Sequence, residues 1–199
     1  HMEYIAKKGF ITLTLKEAEQ FLRGELAIPE KSVLITFDDG YASESHYAAD
    51  ILRRYNLKAA SFPITSKIEE QTAAFLPHQL SYLSWEQIET NRDVFEYASH
   101  SHDMHVLEAG VSKLLHENDT LLREDTRLSR SLLPAPYYAY PYGHYDEFVI
   151  RILQEEGVRM AFSTREVYAR PGDDLLQVGR FAMTYHVSFD RFQEILHRQ

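Results

Sequence analysis

Apolar and polar positions along this chain follow two periods, one of strands and one of helices. Val33-Leu34-Ile35-Thr36-Phe37 is an apolar, partly β-branched run that stops at Asp38-Asp39-Gly40. It predicts a buried strand that delivers two carboxylates to the C-terminal edge of a sheet, where α/β folds place their chemistry. Asp-Gly is also a common hairpin turn. No returning strand follows it: Tyr47, Ala48, Ile51, Leu52 and Tyr55 recur at helical spacing, so the unit reads strand, acidic loop, helix.

The same reading extends along the chain. Thr14-Leu15-Lys16-Glu17 is a capping-box pattern that opens a helix to about Arg23, with Gly24 to end it. Strands are expected at 32–37, 59–63, 95–99, 137–140, 160–163 and 176–182, and helices at 44–55, after Ser84, at 145–156 before Gly157, and from Ser188. A long amphipathic helix is expected over 111–132, its buried stripe made of Leu114, Leu115, Leu121, Leu122, Leu128 and Leu132. Residues 64–83 show no strong period. Strands and helices alternate about six times without repeats or a linker, which predicts a mainly parallel α/β sheet or barrel. His1-Met2 reads as a tag remnant, leaving residues 3–199 as one domain.

Composition narrows the chemistry. A formal net charge of −9 argues against a nucleic-acid or anionic-membrane surface, since both need clustered Lys and Arg. The absence of cysteine excludes a disulfide framework, a thiolate zinc site and a cysteine nucleophile. No apolar run is long enough for a membrane span, and no signal-like segment is expected ahead of the domain.

His100, His102 and His105 follow the strand expected at 95–99. His100 and His105 would lie about 140° apart on a helix and on opposite faces of a strand. They converge only if the chain bends between them, which would bring both near Asp38 and Asp39. Two histidines and one carboxylate suit a borderline metal with positions left for water. A polar loop and a helical His102/His105 pair are the competing readings. His46, His78, His116 and His197 are expected at the surface.

Thr36-Phe37-Asp38-Asp39-Gly40, Ser99-His100 with His105, and Tyr140-Pro141-Tyr142-Gly143 occur in that order. Together they resemble the polysaccharide deacetylases of carbohydrate esterase family four, the NodB homology domain, from about Phe10 to Gln199. The five-residue histidine spacing is most similar to the branch that deacetylates poly-β-1,6-N-acetylglucosamine in biofilms. The resemblance implies a single-domain distorted (β/α) barrel. Asp39, His100 and His105 would bind one divalent metal, zinc first and cobalt or nickel as alternatives, with Asp38 as general base. A backbone N–H near Tyr142 would help stabilise the oxyanion. Tyr142, Tyr140 and Tyr41 are the expected sugar contacts, and Trp85 is a further rim candidate. The implied partner is an N-acetylglucosamine polysaccharide, biofilm, chitin-like or peptidoglycan, acted on outside the cytoplasm, at the cell wall or surface.

Two positions depart from the family pattern. Ala139 stands where the family's Arg-x-Pro-Tyr motif has an arginine, so the usual partner of the base is absent and Asp38 must be oriented some other way. The general acid, in many members a histidine in a late Leu-x-His motif, has only His186 as a late candidate here. In the biofilm branch the resemblance places that histidine upstream. A phosphoesterase using the same ligands would want basic residues at the site, and Arg92, Lys67 and Arg165 are not obviously placed for it. The reading from another class is a catalytically idle, metal-containing glycan-binding domain.

Overall fold

The computed structural model describes residues 1–197. Helix α1 (Met2–Lys7) leads into strand β1 (Ile11–Thr12) and helix α2 (Leu15–Leu22). Thr14 and Glu17 form the expected capping box, worth about 1 kcal/mol to a helix. The predicted strand at 32–37 is split into β2 (Ser32–Val33) and β3 (Thr36–Asp39). A π-helical turn over Glu44–Ala48 then runs into α3 (Ala49–Tyr55). β4 (Ala59–Pro63), α4 (Trp85–Thr90) and β5 (Phe95–Tyr97) follow, and Ser84 with Gln87 closes a second capping box.

The next segment departs from expectation. Residues 107–112 form a small hairpin, β6 (Leu107–Glu108) with β7 (Val111–Ser112), whose turn residues Ala109 and Gly110 both have positive φ. Helix α5 therefore starts only at Asp119, capped by Asn118, and ends at Leu132. β8 (Tyr137–Ala139), α6 (Glu147–Glu155), β9 (Met160–Phe162) and α7 (Phe189–His197) complete the order. The strand expected at 176–182 is absent. Asp174 caps a 3-10 turn over Leu175–Gln177, and Val178 alone bridges to Phe162. Gly179 then passes so close to Val167 and the carbonyl of Arg165 that a Cβ would collide with both, which turns the chain off the sheet.

All pairings among the barrel staves are parallel: β1 with β2, β3 with β4, β4 with β5 and β8 with β9. Parallel bridges Ser99 to Tyr138 and Phe162 to Val178 continue the ring. Side chains alternate across the staves as strand geometry requires. Ala60, Phe62, Ala98, Tyr137, Ala139, Met160, Phe162 and Val178 form one inner cluster with Leu15, Ala18 and Leu22 of α2. Ala59, Phe95 and Tyr97 face outward to a layer that includes α3 and α4, while Tyr138, Tyr140 and Ala161 face outward to α5 and α6. The result is a distorted (β/α) barrel with an apolar plug. Residues 1–2 are part of this structure: Met2 opens α1 and the His1 ring stacks on Phe192.

Candidate metal centre

Three strand ends build the site, and each carries a non-glycine residue in the left-handed region at or just beyond its end. Asp39 (φ 74°) ends β3, Ser101 (φ 69°) follows the stave of β5, and Tyr142 (φ 59°) follows β8. Such backbone costs about 1–3 kcal/mol per residue and persists where the surroundings over-determine it, typically at functional sites. Gly40 is required next to Asp39, because a Cβ there would lie 2.5 Å from Cβ of Pro63.

The bend at Ser101 is what brings the two histidines together. Asp39 Oδ1 lies 3.5 Å from Nε2 of His100 and 3.2 Å from Nε2 of His105. One ligand atom from each of the three residues falls within 4.8 Å of the others. His100 is buried, and its Nδ1 lies 2.8 Å from the carbonyl oxygen of Ala139. That contact places the ring proton on Nδ1 and leaves the Nε2 lone pair facing Asp39, the outer-sphere arrangement typical of metal-ligating histidines. The donor set and its orientation thus fit a divalent metal of the zinc type. Burial, and next the neighbouring His100, hold His105 below its usual pKa, which favours the neutral ligand form. Ala139 contributes here through its backbone alone.

Asp38 is aimed by a residue the sequence reading missed. Arg180 grips it with two parallel hydrogen bonds, Nη1 to Oδ1 and Nη2 to Oδ2, both 2.7 Å, and Nη1 also reaches Thr36 Oγ1 at 3.1 Å. The guanidinium lies over the rings of Phe62 and Phe162 at the top of the apolar plug. Burial alone would raise the Asp38 pKa, but the Arg180 contact outweighs it and the carboxyl is held below its ordinary value. Arg180 therefore fills the place left open by Ala139. In the sequence this arginine lay inside the strand expected at 176–182, and no local pattern tied it to Asp38.

Tyr41, Tyr82 and Tyr142 surround Asp39. Tyr41 and Tyr82 rings are 5.5 Å apart, and Tyr142 lies 4.2 Å from the His105 ring while its hydroxyl donates to the His105 carbonyl. Tyr82 carried no sequence signal. Tyr140 requires a correction: it is fully buried on the outward face of β8's stave, its hydroxyl donating to the Leu176 carbonyl, so it is core and not sugar-facing. Alternation explains this, since Tyr140 shares its face with Tyr138. Trp85 packs against the outer core cluster. His186 lies on an exposed turn against Tyr185, apart from the cluster. His102 does not join the Asp39 group; its Nδ1 lies 3.0 Å from Thr65 Oγ1.

Glu44 was also missed. It is buried in the π turn, and among the described residues neither carboxyl oxygen has a hydrogen bond of good geometry, although Ser61 and the Tyr41 backbone lie close enough to favour its charged form. Burial above all, with the charges of Asp38 and Asp39 adding to it, pushes its pKa up to about 8.

A parallel barrel thus carries, at its strand ends, two histidines and a carboxylate that could hold a metal ion, beside a second carboxylate. The sequence model of the polysaccharide deacetylase family matches residues 26–161, and the chain belongs to that family. It is 28% identical over 193 residues to the poly-beta-1,6-N-acetyl-D-glucosamine N-deacetylase of Staphylococcus epidermidis, covering 92% of this chain and 64% of that one. The chain thus spans less than two thirds of that relative's length. The structure of IcaB from Ammonifex degensii superposes with a TM-score of 0.85 and 28% identity over 99% of this chain and 86% of that one. The Streptococcus pyogenes deacetylase PplD shares the fold, with a TM-score of 0.85 at 20% identity over 99% and 84% of the two chains. Among the described residues, no helix is long and apolar enough to cross a membrane.

Proposed function

We propose that this protein is a metal-dependent polysaccharide N-deacetylase that removes acetyl groups from a β-linked N-acetylglucosamine polymer outside the cytoplasm. The supporting observation is the convergence of Asp39 Oδ1 on the Nε2 atoms of His100 and His105, with the Arg180-held Asp38 next to it in sequence. The names of the relatives favour a β-1,6-linked substrate.

Asp39, His100 and His105 would hold the metal. Bound there, a divalent ion supplies Lewis acidity toward the acetamide carbonyl and acidifies water. Asp38 takes the proton of the attacking water, and Arg180 keeps its carboxylate ionised and in a fixed plane before that transfer. The backbone N–H at Tyr142 is the donor we assign to the developing oxyanion. Tyr41 and Tyr142, with Tyr82, offer ring faces to the sugar. His186 is the chain's candidate for protonating the departing amine, and unchanged acetate release by His186→Ala would remove it from the reaction.

The test is acetate release from β-1,6 and β-1,4 N-acetylglucosamine oligomers, with zinc or cobalt and with chelator. Release from the β-1,6 series, lost to chelator, is expected. Asp38→Asn should lower it about 10²–10⁴-fold while zinc still binds. Zinc uptake without release from either series would overturn the enzyme reading in favour of a glycan-binding domain.

A further inference from the structure

Helix α5 has its faces reversed. Leu121, Leu128 and Leu132, expected in the core, are exposed, whereas Asp125, Thr126 and Ser129 are buried beside Leu122. A polar buried face is costly unless each group is satisfied, so it is informative to see what these groups hold.

Thr126 donates back to the Leu122 carbonyl of its own helix, but Asp125 and Ser129 hold the loop that carries the two histidines. The Asp125 carboxylate accepts the backbone N–H of His102 on Oδ1 at 3.0 Å and that of Asp103 on Oδ2 at 2.6 Å. Ser129 Oγ lies 2.5 Å from Ser99 Oγ, which in turn accepts the Ser101 N–H at 3.1 Å. On the other side the Ser101 carbonyl accepts the Thr65 N–H, and the His102 carbonyl accepts the Ser66 N–H. The left-handed residue Ser101 is therefore gripped from both sides. Asp125 is the one charged group in the grip, and it spans two consecutive amides midway between His100 and His105.

We propose that Asp125 is a positioning residue for the metal centre: by clamping the amides of His102 and Asp103 it fixes the separation of His100 and His105 before metal arrives, and so sets the site's affinity and coordination geometry. This rests on the reading of Asp39, His100 and His105 as metal ligands. It assigns α5 a task at the site although no α5 side chain belongs to the ligand cluster. The polar inward face follows from it, since two consecutive amides at a tight bend have no strand partner and need a bidentate acceptor.

The experiment compares wild type, Asp125→Asn, Asp125→Ala and Glu124→Gln. Glu124 is an exposed carboxylate on the same helix, so its variant controls for loss of charge alone. Zinc affinity is measured by competition with a chromophoric chelator, coordination by the Co(II) d–d spectrum, and loop order by amide hydrogen exchange without metal. Asp125→Asn, which keeps one acceptor oxygen, should bind zinc about 10-fold more weakly and Asp125→Ala about 100-fold, the range for lost outer-sphere support. The Co(II) spectrum should change, and His102 and Asp103 amides should exchange faster, with Glu124→Gln like wild type. Zinc affinity and Co(II) spectrum unchanged in Asp125→Asn would overturn the proposal. Wild-type protein that takes up no zinc would overturn the metal reading itself, and the metal-free exchange separates the two failures: unchanged exchange at His102 and Asp103 in the variant overturns the clamp.

Discussion

Helices α5 and α6 lie side by side on the same flank of the barrel and solve opposite problems. Helix α6 buries Val149, Ile152 and Leu153 in the outer core, an ordinary apolar face. Its neighbour turns Asp125, Thr126 and Ser129 inward and leaves leucines in solvent, with Leu128 at 45% exposure. Arg123 and Arg127 of α5 tie the pair together through Glu155 and Glu156. The difference teaches that a helix face is chosen by what lies beneath it. Under α6 is the apolar side of β8 and β9, and under α5 is a bent loop whose amides take a side-chain carboxylate as partner in place of a strand.

The comparison breaks most visibly in α6. Ile152→Ala should cost about 2–5 kcal/mol of stability in urea unfolding, the range for a fully buried aliphatic side chain, while the folded fraction keeps wild-type zinc affinity. An equal loss of zinc affinity in that fraction would mean the two helices do not divide the work.

Glu44 sharpens the contrast from another direction, as a buried carboxyl with none of the partners Asp125 has. A carboxyl whose pKa is raised in the folded state binds its proton more tightly there than when unfolded. Its contribution to stability therefore falls as pH rises between the unfolded value near 4.5 and about 8. Glu44→Gln removes that dependence. Its stability relative to wild type should grow by about 3–4 kcal/mol from pH 5 to pH 8, read from urea midpoints at each pH. A difference that does not vary with pH would show that Glu44 is already ionised in the fold.

The smallest effect is expected on the outer face of α5. Leu128→Lys should change stability by less than about 0.5 kcal/mol and leave zinc affinity unaltered, measured by the same unfolding and competition assays. A larger loss would show that the leucine face is covered after all.

The apolar runs at Val33 and Ala59, both capping boxes and the Asp-Asp-Gly edge were legible because each is a local signal, complete within a few residues. The convergence of Asp39, His100 and His105 was legible once motif order was considered. What could not be read depends on partners distant in sequence. The leucines of α5 gave a convincing helical period, but the polar residues between them belonged to a loop about twenty residues upstream. Tyr140 sat beside a site motif, yet strand alternation sent it into the core. The hairpin at 107–112 was hidden inside a pattern that looked helical, its turn made by Ala109-Gly110 and not by a stronger turn pair. Arg180 is 142 residues from Asp38, and no local pattern joins them.

The Arg180 contact has a practical consequence for designing variants. Among the described residues, no strand pairing joins Val178 to β3, so the salt bridge from Arg180 to Asp38, with the hydrogen bond it donates to Thr36, stitches the seam of the ring. Any substitution at 38 that removes the acceptor oxygens also loosens the barrel and leaves a cation stranded above Phe62 and Phe162. The proposed role of Asp38 as base is therefore best tested with Asp38→Asn, which keeps one oxygen for the stitch, since an alanine at the same place would confound lost chemistry with an opened seam.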